Sequence, residues 1–155
     1  MSAKKRLADI LDSGKAYELF VKLVEAQGGD VTCVERPEQY PASKSHIEIS
    51  SPETGIIKSV DALKIGLLAN ELGAGRKRMT DKIDYAAGIV LQKKEGDSVE
   101  KGELLADVYY SKSYNPKDIE KQLMKAVNIS SSPPKEKRKL ILKYITKDAV
   151  LDWDQ

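Results

Sequence analysis

The period of the hydrophobic pattern changes close to the end of the first third of the chain, and this change limits the folds that are available. Near the N-terminus, Leu7 and Ile10 follow the three-to-four-residue spacing of an amphipathic helix. A second segment with helical spacing of apolar residues covers residues 15–27 and ends at two glycines. From His46 onward apolar and polar residues alternate, which is typical of a half-buried strand. We therefore predict an α+β fold that begins with a short helical hairpin.

The second part of the chain contains two helical segments around a compact β unit. Asp61 is a candidate N-cap for a helix that ends at Gly73. Residues 88–110 contain a strand, two glycine turns and a second strand. A further helix is predicted to start at Asn115-Pro116. The apolar residues of this helix, spaced four apart, are Ile119, Leu123 and Val127.

Other segments carry weaker signals. Residues 31–45 indicate a connection, with a strand at 31–34. Periodicity leaves residues 140–145 open between strand and helix, and the final DAVLDWDQ is expected to be a loosely attached tail. The basic run 135–139 follows two prolines and favours a solvated segment over an RNA-binding patch. The predicted organisation is residues 1–30, 31–45, 46–130 and 131–155, the last being a terminal strand and tail.

The ionisable residues exclude several classes of protein. With 26 Lys+Arg and 24 Asp+Glu the formal net charge is +2, which is too balanced for a dedicated nucleic-acid binder. A single cysteine, Cys33, and a single histidine, His46, leave no intramolecular disulfide and no Cys/His set for structural zinc. No apolar run is long enough to span a membrane, and the start lacks the apolar core of a signal peptide. We expect a cytoplasmic protein without a metal, a cofactor, a nucleic-acid partner or a membrane anchor.

The segment Gly73-Ala74-Gly75-Arg76 is a candidate anion-binding site. Glycines let backbone N–H groups approach an anion, and arginine adds a planar fork of donors. The dinucleotide-binding fingerprint would need another glycine where this chain has Arg78, and its glycines would precede a helix. Gly73 by itself is most simply explained as a helix C-cap.

Other reactive side chains have simpler explanations. His46 has no accompanying Ser or Cys nucleophile with a recognisable elbow, so we interpret it as a surface or strand-edge residue. Cys33 lies in the connection and is interpreted as structural or incidental. Asp81 and Asp84 could form a metal or acid/base pair, but turn capping and ion pairing with neighbouring basic residues explain them equally well.

The β unit also has the layout of the second half of a biotinyl/lipoyl carrier domain. Such a carrier needs a lysine exposed on a tight hairpin. Met124-Lys125 lies instead on the predicted final helix. The sequence therefore indicates a related fold without the carrier activity.

Several motifs occur in one order along the chain: AQGGD, V-D-A-x-x-I-G, L-G-A-G-R, D-x-I-D, G-I-V-L, K-x-G-D-x-V and K-G-E-L-L-A. In this combination and spacing they resemble the C-terminal part of pyrimidine-nucleoside phosphorylase and thymidine phosphorylase, from about Ser13 to Val127. The resemblance implies that residues 1–30 are the last helices of a large α/β domain. It also implies that an α/β-hammerhead-like lobe with a rudimentary barrel-sandwich β unit follows them.

The resemblance implies a reversible phosphorolysis. Phosphate, the co-substrate, attacks the sugar C1′ of a pyrimidine nucleoside and releases the base and a pentose 1-phosphate. In the family the groups that hold phosphate and base lie upstream of the matched region, so no catalytic residue is assigned here and the isolated chain is predicted to be inactive. Closure of the family's domains implies that a loop containing Gly75, Arg76 and Lys77 approaches the substrate side. A complete enzyme is expected to be a homodimer.

A second hypothesis is a free-standing, non-catalytic binding or interaction module built on the same lobe. The initial Met-Ser and the acidic C-terminal tail are mild support for it. In-frame phosphorylase sequence upstream of the Met1 codon would favour the enzyme fragment. We further expect the isolated chain to self-associate through the apolar surface of residues 4–27.

Overall fold

A computed structural model describes residues 2–132 and 141–153 of the chain. The helices are α1 (Ala3–Asp12), α2 (Lys15–Ala26), α3 (Thr32–Glu35), α4 (Ala62–Ala69) and α5 (Pro116–Met124). The strands are β1 (Ser45–Ser50), β2 (Gly55–Val60), β3 (Gly88–Leu91), β4 (Ser98–Val99), β5 (Leu104–Tyr110), β6 (Val127–Ser130), β7 (Lys143–Ile145) and β8 (Val150–Asp152). This mixture confirms the α+β class. The chain divides into two compact units, residues 1–42 and 43–155.

The N-terminal unit contains the helical hairpin that the sequence predicts. The hydroxyl of Ser2 accepts a hydrogen bond from the Lys5 N–H and caps α1. Gly14, at a φ of 76°, lies between α1 and α2. No side chain of either helix is buried, and Leu11 and Leu19 are 69% and 68% exposed. The apolar stripes of both helices therefore remain largely in contact with solvent.

The predicted strand at residues 31–34 is wrong, because this segment forms the short helix α3. A carboxylate oxygen of Asp30 accepts a hydrogen bond from the Thr32 N–H at 2.9 Å, and the Glu35 N–H donates to the Val31 carbonyl. A capping carboxylate before the segment therefore overrides the strand propensity of its β-branched residues.

The described residues of the second unit, 43–132 and 141–153, form three antiparallel sheets. The first has the strand order β1-β5-β3, the second β4-β2-β6, and the third is the β7-β8 hairpin. In the first sheet Ile47 pairs with Val108 and Glu48 with Asp107. In the second, Ile57 pairs with Ile129. The first sheet joins strands that are far apart in the sequence, so its face combines residues from separate segments.

Among the described residues of this unit, the buried apolar side chains form two hydrophobic cores. The first lies between the inner face of the β1-β5-β3 sheet and the apolar sides of α4, the turn after it, and α5. Its buried residues are Ile49, Leu68, Leu72, Ala106, Val108, Tyr110, Ile119 and Leu123. The second core consists of Ile57, Val99 and Leu105. Met124 and Val127 pack against both cores and so join them.

Several predicted boundaries differ from the structure. Val127 was expected on the last helix, but α5 ends at Met124 and Val127 begins β6, where it pairs with Val60. Within the expected tail, Val150–Asp152 is a strand that pairs with Lys143–Ile145, and both strands of this hairpin are exposed. The segment whose periodicity was ambiguous is therefore a strand over Lys143–Ile145. The basic run 135–139 lies outside the described residues.

None of the helices in the described part of the chain has the length and apolarity that a membrane crossing requires.

Candidate functional site

The candidate anion site is a loop that follows α4 and begins at Gly73. Gly73 has a φ of 117°, a backbone conformation that glycine adopts far more readily than other residues. Its carbonyl accepts a hydrogen bond from the Asp84 N–H at 2.9 Å. This bond closes the loop at its base, and Gly73 ends the helical segment as the sequence predicts.

The loop backbone is also fixed from within. The side-chain amide of Asn70 donates to the Arg76 carbonyl at 3.4 Å, and Gly75 lies so close to this amide that a Cβ there would overlap it. One carboxylate oxygen of Asp81 accepts from the N–H groups of Lys77 and Arg78, at 3.1 and 2.9 Å. The capping role predicted for Asp81 is confirmed.

The basic side chains of the loop take no part in these backbone hydrogen bonds and are exposed. Arg76, Lys77 and Arg78 all project into solvent. The ion pairs found among the described residues involve other basic groups, namely His46, Lys64, Lys93 and Lys143. Within residues 2–132 and 141–153, therefore, no ion pair neutralises the three positive charges of the loop. The loop presents cations on a braced backbone, an arrangement suited to an anionic group such as phosphate.

Asp84, the second carboxylate considered in the sequence, also caps a turn. It accepts from the Ala86 N–H at 3.0 Å. Hydrogen bonds from the Ser111 hydroxyl and the Ala86 N–H lower the pKa of Asp84. Asp81 and Asp84 thus each stabilise a local turn by accepting hydrogen bonds from backbone N–H groups.

A second polar cluster lies on the solvent-facing side of the β1-β5-β3 sheet. His46 is on the edge strand β1, as the sequence predicts, and its Nε2 lies 2.8 Å from an oxygen of Asp107. The His46 ring stacks on Tyr109 with the ring centroids 4.6 Å apart. Gln92 donates to the other oxygen of Asp107 at 2.6 Å. These hydrogen bonds, from Gln92 and then His46, lower the pKa of the buried Asp107 carboxyl.

Sequence reasoning singled out His46 in this cluster but missed Asp107 and Gln92. One signal was available, since Asp107 is the only charged residue in the strand LLADVYY. A charged residue inside an apolar strand needs partners. The partners come from β1 and from the residue after β3, and the pattern along the chain does not reveal that pairing.

The two remaining candidates have ordinary surroundings. Cys33 is partly buried beside Asp30, with its sulfur 4.0 Å from a carboxylate oxygen. Lys125 follows the last residue of α5 and does not lie at a hairpin tip, so the argument against a carrier lysine is confirmed.

Comparison with known proteins identifies the class to which this fold and loop belong. Residues 56–130, from β2 through β6, match the family model described as the pyrimidine nucleoside phosphorylase C-terminal domain. This segment therefore has the sequence pattern of that C-terminal domain. The matched residues include α4, the basic loop and β5.

Individual relatives agree with this match. The chain is 34% identical over 132 residues to the thymidine phosphorylase of Metamycoplasma hominis, covering 85% of this chain and 48% of the relative. It is 41% identical over 107 residues to the pyrimidine-nucleoside phosphorylase of Bacillus subtilis. This alignment covers 69% of this chain and 25% of the relative. For the Staphylococcus epidermidis protein of the same name the identity is 38% over 145 residues, which cover 93% of this chain and 33% of the relative.

The chain belongs to the pyrimidine-nucleoside phosphorylase family and corresponds to its C-terminal part. It spans between a quarter and about half of the length of these relatives.

Proposed function

We propose that the chain serves as the C-terminal lobe of a pyrimidine-nucleoside phosphorylase. The support comes from the family match over residues 56–130 and from relatives whose names all describe this activity. The lobe combines the hammerhead-like arrangement and small barrel-sandwich β unit expected from the resemblance. The reaction converts a pyrimidine nucleoside and phosphate to the base and a pentose 1-phosphate, and it belongs to pyrimidine salvage in the cytoplasm.

The chemistry of this reaction defines what the lobe contributes. Positive charge develops on the sugar while phosphate attacks C1′, and the leaving base carries negative charge. Phosphate has to be held close to C1′, and water has to be excluded because it competes as a nucleophile. A lobe that closes over the cleft meets the last requirement.

The proposed role of the loop depends on one observation, namely that the charged side chains of Arg76 and Lys77 are exposed. We place Gly75, Arg76 and Lys77 on the substrate side of the closed enzyme. Their positive potential attracts phosphate and the sugar phosphate product. The bonds to Asn70 and Asp81 keep the loop backbone ordered before closure, so less conformational entropy is lost on binding.

The isolated chain is then inactive, because the groups that bind phosphate and base belong to the preceding part of the complete enzyme. That enzyme is a homodimer, and it requires no cofactor besides phosphate as co-substrate.

A domain exchange tests this proposal. The aligned C-terminal segment of the Bacillus subtilis pyrimidine-nucleoside phosphorylase is replaced by that of this chain, and release of uracil from uridine and phosphate is measured. We expect the exchanged enzyme to be active. A folded exchange enzyme without phosphorolysis would contradict the assignment of the chain as a working lobe.

Substitutions in the exchanged enzyme separate the role of the loop from that of the lobe. Arg76→Ala is expected to lower kcat/KM by about tenfold through weaker attraction of phosphate. The matched control is Lys58→Ala, which removes an exposed positive charge from β2, outside the loop. Unchanged kinetics for Arg76→Ala would contradict the role of the loop, whatever the activity of the parent exchange enzyme.

A further inference from the structure

The polar cluster on the β1-β5-β3 sheet contains three potential metal ligands from two adjacent strands. His46 and Glu48 are two residues apart on β1, so both side chains lie on the same face. The antiparallel register places Asp107 of β5 directly opposite Glu48. One ligand atom from each of the three residues lies within 4.8 Å of the other two. The sheet register, rather than a flexible loop, brings them together.

The surroundings of the three residues orient two of them. The stack on Tyr109, with an interplanar angle of 16°, holds the His46 ring with Nε2 towards Asp107. Gln92 holds one oxygen of Asp107 and leaves the other towards His46. Outer hydrogen bonds of this kind orient the ligands of metal sites. Glu48 is exposed on the same face.

The distances suit a small divalent ion. Ligands in tetrahedral zinc sites, with bonds of about 2.0–2.1 Å, are about 3.3 Å apart. The His46–Asp107 pair is already 2.8 Å apart, and a carboxylate oxygen of Glu48 lies within 4.8 Å of both.

We propose that His46, Glu48 and Asp107 form a binding site for a divalent transition-metal ion of the zinc type. One imidazole nitrogen and two carboxylates match the ligand preferences of zinc, whereas magnesium and calcium take oxygen ligands. The exposed position leaves a coordination place open to water. The Cys/His count that excludes structural zinc does not exclude this site, because two of its ligands are carboxylates. The proposal does not depend on the phosphorylase assignment.

The test is titration of the untagged chain of 155 residues with zinc chloride, monitored by calorimetry and by NMR. Because His46 is the only histidine of the chain, its ring signals report on the site without ambiguity. We expect one zinc ion per chain, a shift or broadening of the His46 ring signals, and no saturable response to magnesium. No zinc binding below about millimolar concentration, or binding that leaves the ring signals unchanged, would overturn the proposal.

Variants distinguish this site from other zinc ligands in the chain. Glu48→Gln changes an exposed residue and is expected to keep the fold while weakening zinc affinity about tenfold. His46→Ala is expected to abolish saturable binding. Cys33→Ser is the matched control, because it removes the single thiol, and its zinc affinity should equal that of the parent chain. Loss of binding in Cys33→Ser, or full binding in both site variants, would overturn the proposal.

Discussion

Gly73 closes the loop that carries the positive charges proposed to attract phosphate. Replacing Gly73 with alanine tests whether the backbone of this loop requires glycine. Its φ of 117° is rarely adopted by residues that carry a Cβ. A Cβ at this position would lie 3.3 Å from the Cβ of Asp84 and 3.9 Å from that of Ala87. The first contact is tight and the second is an ordinary van der Waals contact. Backbone strain is therefore the main cause of the expected loss of stability.

The magnitude follows from these observations. Holding a residue other than glycine in such a conformation costs about 1–3 kcal/mol. Alanine also restricts the unfolded chain, which offsets the cost by about 0.4–1 kcal/mol. We therefore expect Gly73→Ala to lower the free energy of unfolding by about 1–2 kcal/mol.

Gly66 supplies a matched control with the opposite sign. It lies inside α4, is exposed, and has no atom within 4 Å of an added Cβ. Gly66→Ala should raise the free energy of unfolding by about 0.5–1 kcal/mol, since glycine weakens a helix interior.

Urea denaturation followed by circular dichroism measures both variants. With slopes of about 1–3 kcal/mol per molar urea, the two midpoints should differ by about 1 M, with Gly66→Ala the higher. Amide exchange supplies a local readout, because Gly73→Ala should speed exchange of the Asp84 N–H that bonds to the Gly73 carbonyl. Equal midpoints for the two variants, or a Gly73→Ala protein as stable as the parent, would show that the backbone conformation at Gly73 does not require glycine.

Three further predictions concern the core, the pH dependence and the helical hairpin. Leu123 is fully buried in the main core, so Leu123→Ala should cost about 2–5 kcal/mol in urea denaturation, and a loss below 1 kcal/mol would show a poorly packed core. Because the Ser111 hydroxyl and the Ala86 N–H lower the pKa of Asp84, its contribution to stability is present above the unfolded pKa of about 3.9 and is lost as the pH falls through the lowered folded pKa. Asp84→Asn should therefore flatten the decline of stability as the pH falls below about 5, and an unchanged pH profile would exclude this contribution. Phe20 is 51% exposed on α2, so Phe20→Ser should shift sedimentation of the isolated chain towards the monomer, whereas a parent chain that is already monomeric would contradict self-association through this surface.

The fold could be predicted from the sequence where structure depends on neighbouring residues. Asp61 caps α4 by accepting from the Lys64 N–H, and Gly73 ends the same helical segment, as their positions indicate. The failures have physical causes. The strand propensity of Val31–Val34 did not account for the cap supplied by Asp30, and helical spacing alone could not show that Val127 pairs with Val60 in a sheet.

The candidate sites show the same limit. The basic loop could be located because its glycines and charges are adjacent in the chain. The cluster of His46 and Asp107 could not, because 61 residues separate these side chains and the strand order β1-β5-β3 brings them together. A non-local register depends on packing of the whole sheet, and no local pattern specifies it.

We infer that this lobe supports a phosphorylase without carrying its reactive groups. The most direct measurement is the rate of uracil or thymine release when the purified chain of 155 residues is incubated with uridine or thymidine and phosphate. We predict a rate equal to that of the protein-free control, while the exchanged enzyme is active in the same assay. Phosphate-dependent release of base by the isolated chain, in proportion to its concentration, would contradict the claim.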